Sequence, residues 1–358
     1  MLRGVIQCLH LNLDQMATTP LPRCSPPHVM VMSPVFFHYT ITLRSYKLQK
    51  SMSSLKVREG EADFNVTGAD KPCKTWYKVY GTLPHPHNPP LVVLHGGPGS
   101  SHEYLDILSE LTRLFDVPVI VYDQLGNGRS THLPEKNGDV DFWTVQLFVD
   151  ELHNLLNHLN IHDNYNLLGQ SWGGMLASEF ATRQPKGLGK LVIADSPASA
   201  PLWVKAVNEL RKELPREVQD VLDKHEAADT TTDPEYIAAI NEFHKRHMCR
   251  LDPMPQSLLD GLAWMEKDPT VHSTMIGPNE FYITGSLRTW SVVDRLHNIQ
   301  ATTLLINGRY DEAQDIVVEP FFQRIPKVRW VQFADSAHVP QLEETERFMQ
   351  VVWAFLRG

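Results

Sequence analysis

From Lys56 onward, short apolar runs alternate with stretches of helical period, and that alternation leaves few architectures open to the chain. LKVREGEADFNV and TWYKVYGTL alternate apolar and polar residues, as paired antiparallel strands do. LVVLH and VPVIVYD are continuous apolar runs, the pattern of parallel strands buried on both faces, and NYNLLG and KLVIADS read as further strands. Between them EYLDILSELTRLF, FVDELHNLLNHLNI and GGMLASEFATRQP have helical spacing. This β-α-β-α order predicts a mostly parallel sheet with helices on both faces. From about Pro197 to Trp290 the strands stop. Val204, Val207, Leu210, Leu214, Val218 and Val221 repeat at three and four and read as an amphipathic helix, with PEYIAAINEFHKRH and QSLLDGLAWMEK similar. Strand signals resume at ATTLLING and VRWVQFA, and EETERFMQVVWAFL closes as a helix. The expected organisation is an α/β core of residues 55–196 and 291–358, interrupted by a helical lid of residues 197–290.

Residues 1–54 follow neither period. They hold five basic side chains against one acid, Asp14, so the remainder carries 28 basic and 41 acidic groups. The stretch is expected to be a disordered extension, or upstream sequence outside the working protein with Met52 as the start. Its apolar patches are broken by Pro26, Pro27 and Pro34, unlike a secretory signal, and no run has the length of a membrane span. Residence in the cytoplasm is expected, with organelle targeting by this acid-poor stretch as the alternative. The net charge of −9 argues against a nucleic-acid partner. Cys8, Cys24, Cys73 and Cys249 are scattered, and no Cys/His cluster has metal-ligand spacing, so no metal is expected.

The chemistry is concentrated in a few turns. Gly169-Gln170-Ser171-Trp172-Gly173 matches G-x-S-x-G between an expected strand and an expected helix. A serine on so sharp a turn sits in strained backbone, which requires small neighbours two positions away and aims helix N–H groups at its hydroxyl. His95-Gly96-Gly97-Pro98-Gly99 follows LVVL, where glycines let backbone approach a tetrahedral intermediate. Asp311, in GRYDEAQ after LLING, and His338, in DSAHVPQ after WVQFA, complete a nucleophile, acid and base in the chain order of α/β-hydrolases. Asp315 and Asp335 are rival acids, less favoured by position. His95 is a rival base, although a histidine beside the glycines is better suited to shaping their loop.

HGGPG, the segment DQLGNGRS from Asp123 to Ser130, GQSWGG and the later GPNEF together resemble the proline iminopeptidase family of α/β-hydrolase serine peptidases, from about residue 56 to the C-terminus. The resemblance implies an α/β-hydrolase fold, no metal or cofactor, and release of an N-terminal residue, proline or another small or apolar one, from a small peptide or amide. It implies Ser171, Asp311 and His338 as the triad and the backbone N–H groups of Gly97 and Trp172 as the oxyanion hole, with Asp123 and Gln124 bracing HGGPG. Glu280, in GPNEF, matches the family's amine-binding glutamate, and a second is expected from the lid, with Glu242 and Glu235 as candidates. Trp264, Phe281 and Tyr282 are candidate walls of a proline-sized pocket. An esterase or small-molecule amidase of the same fold, serving a biosynthetic pathway, is the competing reading, and Glu280 discriminates, because a neutral ester gives a carboxylate nothing to bind. A non-catalytic binding module would be expected to lose a triad member, and none is lost.

Overall fold

The two alternating segments pair as antiparallel strands β1 (Val57–Phe64) and β2 (Cys73–Tyr80), with Gly60 opposite Tyr77. The later runs form β3 (Leu91–Leu94), β4 (Val119–Tyr122), β5 (Tyr165–Gln170), β6 (Leu188–Ala194), β7 (Thr302–Gly308) and β8 (Val328–Phe333). In this computed structural model, which describes residues 55–358, they make one sheet of order β1-β2-β4-β3-β5-β6-β7-β8. β2 meets β4 antiparallel, and the remaining pairs are parallel. The expectations for residues 1–54, including the extension, the start at Met52 and organelle targeting, lie outside the described residues.

The continuous apolar runs follow from burial on both sides. Val92, Leu94, Ile120 and Tyr122 enter one hydrophobic cluster while Leu91, Val93, Val119 and Val121 enter another, because successive side chains on a strand point to opposite faces. Helices α1 (Ser109–Phe115), α2 (Val145–His158) and α3 (Trp172–Ala181) connect the strands up to β6. Every residue of α3 is buried, so it has no polar stripe to display. Between β6 and β7 lie α4 (Ala200–Arg211), α5 (Arg216–Ala227), α6 (Pro234–His247), α7 (Gln256–Lys267) and α8 (Thr270–Met275). The chain ends with α9 (Asp315–Arg324), α10 (Pro340–Glu343) and α11 (Thr345–Leu356). Phe148, Phe180 and Phe321, from α2, α3 and α9, cover one sheet face, whereas Leu111, Phe348 and Val352, from α1 and α11, cover the other.

One element reading needs correcting. The repeat from Val204 to Val221 is two helices, not one, because Pro215 lacks an N–H and stands at the start of α5. Gln219 Nε2 donates to the carbonyls of Leu214 (2.7 Å) and Lys212 (3.1 Å) at the break. Buried Arg211 then ties the two helices through Glu226 (2.8 Å) and Asp223 (2.8 Å). Among the described residues no helix is long and apolar enough to cross a membrane. The chain leaves β3 for β4 on one side and returns to β5 on the other. Such a reversal opens a crevice at the carboxyl ends of the strands, where HGGPG and Ser171 both emerge.

Candidate active site

Ser171 stands between the last residue of β5 and the first of α3 at φ 56°, ψ −123°, a conformation that costs a non-glycine residue about 1–3 kcal/mol. The surroundings hold it there. Its N–H donates to Ala194 O (2.9 Å), and its carbonyl accepts from the N–H groups of Gly174 (2.8 Å) and Met175 (3.2 Å). The two motif glycines serve close approach. A Cβ on Gly173 would overlap the carbonyl of Leu94 at the end of β3, and one on Gly169 would overlap the carbonyl of Gly173. Trp172, as the first residue of α3, has a backbone N–H without an intrahelical acceptor.

Asp311 and His338 come from the loops after β7 and β8 and meet: His338 Nδ1 lies 2.7 Å from Asp311 Oδ1, which also accepts from the N–H of Ala313 (2.7 Å). Asp311 is fully buried, and Ser171 and His338 line one cavity with Gly97. Three contacts hold the His338 loop. Its N–H donates to Met248 O (3.1 Å), its carbonyl accepts from Gln170 Nε2 (2.9 Å), and Glu343 Oε2 accepts the N–H of Ala337 (2.8 Å). The rival acids are elsewhere. Asp315 accepts from Asn307 (3.1 Å) and Gln332 (2.7 Å), and Asp335 is exposed.

Gly97 lines the cavity beside Ser171 and Trp172. Gln124 joins the two sides: its Nε2 donates to His95 O (3.1 Å), and its Oε1 accepts from the Trp172 indole (2.8 Å). Asp123 acts one step away, accepting from His102 N (2.9 Å) and Arg129 N (2.8 Å). His95 is fixed in the loop, with Nδ1 on Gly96 O (2.9 Å) and Nε2 accepting from Gln124 N (3.0 Å), and burial holds its pKa below the ordinary value. Tyr104 is a further support. Its hydroxyl accepts from Gly96 N (2.7 Å) and donates to Gln170 Oε1 (2.6 Å), so HGGPG, Ser171's neighbour and the His338 loop form one chain of hydrogen bonds.

The cavity has two lobes at Ser171. One is apolar, with Met175, Trp203, Ile276, Ile283 and Leu287, and the other holds His338, Glu280 and Glu312. Trp203 contributes the aromatic wall and also meets the His338 ring edge-on at 5.8 Å. The aromatics read from the sequence stand elsewhere: Trp264 donates to Glu103 (3.1 Å), Phe281 packs on Phe243, and Tyr282 is exposed. Glu280 lines both lobes. The candidates for a second acid do not reach the site, since Glu235 pairs with Lys224 (2.6 Å) and Glu242 with Lys245 (2.7 Å), both on the surface. Glu312 instead lines the lobe, buried next to Asp311, with Oε1 3.7 Å from His338 Nε2. Its only sequence signal is adjacency to Asp311 in a turn that must be buried to hold the base.

Burial raises the Glu280 carboxyl, against an opposing pull from His338. Burial and then the Glu280 carboxylate push Glu312 well above the usual carboxylate range. For His338 burial disfavours the imidazolium, but Asp311, Glu312 and Glu280 outweigh it and push the ring up to about 9. Among the described residues no lysine or arginine lines either lobe, so Asp311, Glu280 and Glu312 stand against one basic side chain, His338, and the site has an acidic excess. A cation from outside would satisfy it.

Residues 89–345 match the family described as alpha/beta hydrolase fold, and with this sheet and site the protein is a serine hydrolase of that fold. A proline iminopeptidase of Saccharolobus solfataricus is 33% identical over 319 residues, spanning 89% of this chain and 96% of that protein. The solved structure of VinJ is 49% identical with a TM-score of 0.79, covering 83% of this chain and 98% of that one. Proline iminopeptidase from Mycobacterium smegmatis is 46% identical with a TM-score of 0.76 and the same coverage, 83% and 98%. The chain belongs to the proline iminopeptidase family.

Proposed function

We propose that the enzyme removes an N-terminal proline or other small apolar residue from a small peptide or amide through an acyl-enzyme on Ser171. The observation that carries this reading is the pair Glu280 and Glu312 in the cavity of Ser171, with His338 as the single basic side chain lining it. A substrate α-ammonium supplies the missing cation, and charge-assisted hydrogen bonds are the efficient way to hold it. The first side chain then lies against Trp203, Met175, Ile276 and Leu287. A proline ring suits such a wall, and its secondary ammonium keeps two N–H donors for two carboxylates.

With the amine anchored, the scissile carbonyl meets Ser171. His338 takes the serine proton, Asp311 holds the imidazole by Nδ1, and the Gly97 and Trp172 N–H groups receive the oxyanion. Each such donor contributes about 2.7–4 kcal/mol to the transition state. His338 returns the proton to the departing amine, and water hydrolyses the acyl-enzyme. A panel of fluorogenic amides with free and blocked N-termini, set beside simple esters, tests the reading. Cleavage of free-amine prolyl and alanyl amides and neglect of their N-blocked forms is the expected result. Preference for blocked amides or neutral esters would replace the aminopeptidase reading with an esterase or general amidase.

A further inference from the structure

Asp195 is the first residue after β6, and its N–H donates to Ile306 O of β7 (2.8 Å), which sets it beside the strand that leads to Asp311. It is fully buried. Neither of its carboxyl oxygens has a hydrogen-bond partner among the described residues. Asp311 is equally buried, and while its Oδ1 serves His338 and Ala313, its Oδ2 also has no donor. The two carboxyl groups are within hydrogen-bonding reach of each other.

Two bare carboxylates side by side at fully buried positions are disfavoured by desolvation and by mutual repulsion, so a pair of this kind shares one proton. Asp311 already accepts at Oδ1 from Ala313 and faces His338, which makes it the acceptor of the pair. The proton therefore belongs on Asp195. We infer that Asp195 is a neutral acid whose O–H donates to Asp311 Oδ2, making it a positioning residue that orients the triad acid and tempers its pull on His338. Burial, then Asp311, with a smaller push from Glu343, holds the Asp195 carboxyl well above the usual carboxylate range. Tyr104 is the other titratable group that senses it. The Gly308 amide also faces Asp195 but falls short of hydrogen-bonding geometry.

The inference rests on Asp311 being the triad acid, and two measurements separate the claims. An infrared difference spectrum of wild type against D195N at neutral pH should show the loss of a protonated-carboxyl carbonyl band. Its absence overturns the shared proton whatever the activity of either protein. Kinetically, D195A leaves Asp311 Oδ2 without a donor, so Asp311 binds the imidazolium more tightly. The acid limb of the kcat/KM profile should move to higher pH and kcat should fall about tenfold. D195N keeps an N–H donor in the same place and should restore most of that loss and the original profile. An unmoved profile in D195A, or D195N as impaired as D195A, contradicts the inference, and the spectrum decides alone where D195A fails to fold. Wild-type turnover in D311N would instead remove the triad assignment itself.

Discussion

The pH dependence of the reaction should differ between substrates with and without a free amine, because the carboxylates proposed to bind the amine also raise the pKa of His338. In the free enzyme His338 is pushed up to about 9 by Asp311, Glu312 and Glu280 against the effect of burial. A charged imidazole cannot take the proton of Ser171, so kcat/KM for an N-blocked substrate should climb with pH and level off only above that value. A peptide α-ammonium deprotonates near pH ~8, which adds a falling limb for free-amine substrates and makes their kcat/KM a bell with its top between the two values. Once bound, the ammonium offsets Glu280 and Glu312, His338 becomes less basic, and the acid limb of kcat should lie below that of kcat/KM. The size of the effect can be tested with Glu312→Gln. Opposite unit charges about 4 Å apart interact by ~1 kcal/mol in water and ~4 kcal/mol near a protein surface, where each pH unit corresponds to ~1.36 kcal/mol. Glu312 sits 3.7 Å from His338 Nε2, but its own charge depends on burial and on Glu280, so a fall of about one unit in the acid limb is expected for E312Q. Initial rates across pH for a prolyl amide and an N-blocked ester, in both proteins, provide the assay. Acid limbs near the ordinary imidazole value of ~6.5 for both substrates, unmoved by E312Q, would refute the argument.

Glu280→Gln is nearly isosteric and removes the other charge; it should lower kcat/KM for free-amine substrates about ten- to a hundredfold while leaving an uncharged ester close to wild type at pH values where His338 is neutral in both proteins. An equal loss on both substrates would mean that Glu280 supports the fold of the site instead. Gly173→Ala forces a methyl group onto the Leu94 carbonyl, a rigid backbone neighbour, and should cost about 1–3 kcal/mol or more. Thermal unfolding should show this as a drop of several degrees, and an unchanged Tm would show that α3 shifts away freely.

The mostly parallel sheet was legible because its central strands are buried on both faces and so read as unbroken apolar runs, as in LVVL and VIVY. The turn at Ser171 was legible because its glycines answer a backbone contact that leaves no room for a side chain. α9 was not, since Pro320 interrupts its interior and Phe322 faces solvent. Neither Glu312 nor Asp195 announced itself, because each is an ordinary acid in sequence and becomes unusual only through burial beside Asp311. The aromatic wall was sought at Trp264, but the helices between β6 and β7 pack by three-dimensional contact, and Trp203 on α4 is the one that reaches His338. Tyr104 shows the same limit, being a support that links loops distant in sequence.

The proposed reaction depends on covalent chemistry at Ser171. Treatment with a fluorophosphonate probe followed by peptide mass analysis, run beside turnover of a free-amine prolyl amide, tests it most directly. The account predicts a single adduct on the peptide carrying Ser171, complete loss of turnover on labelling, and neither adduct nor turnover in a folded Ser171→Ala protein. An adduct on another residue, or S171A turning over at the wild-type rate, would contradict it.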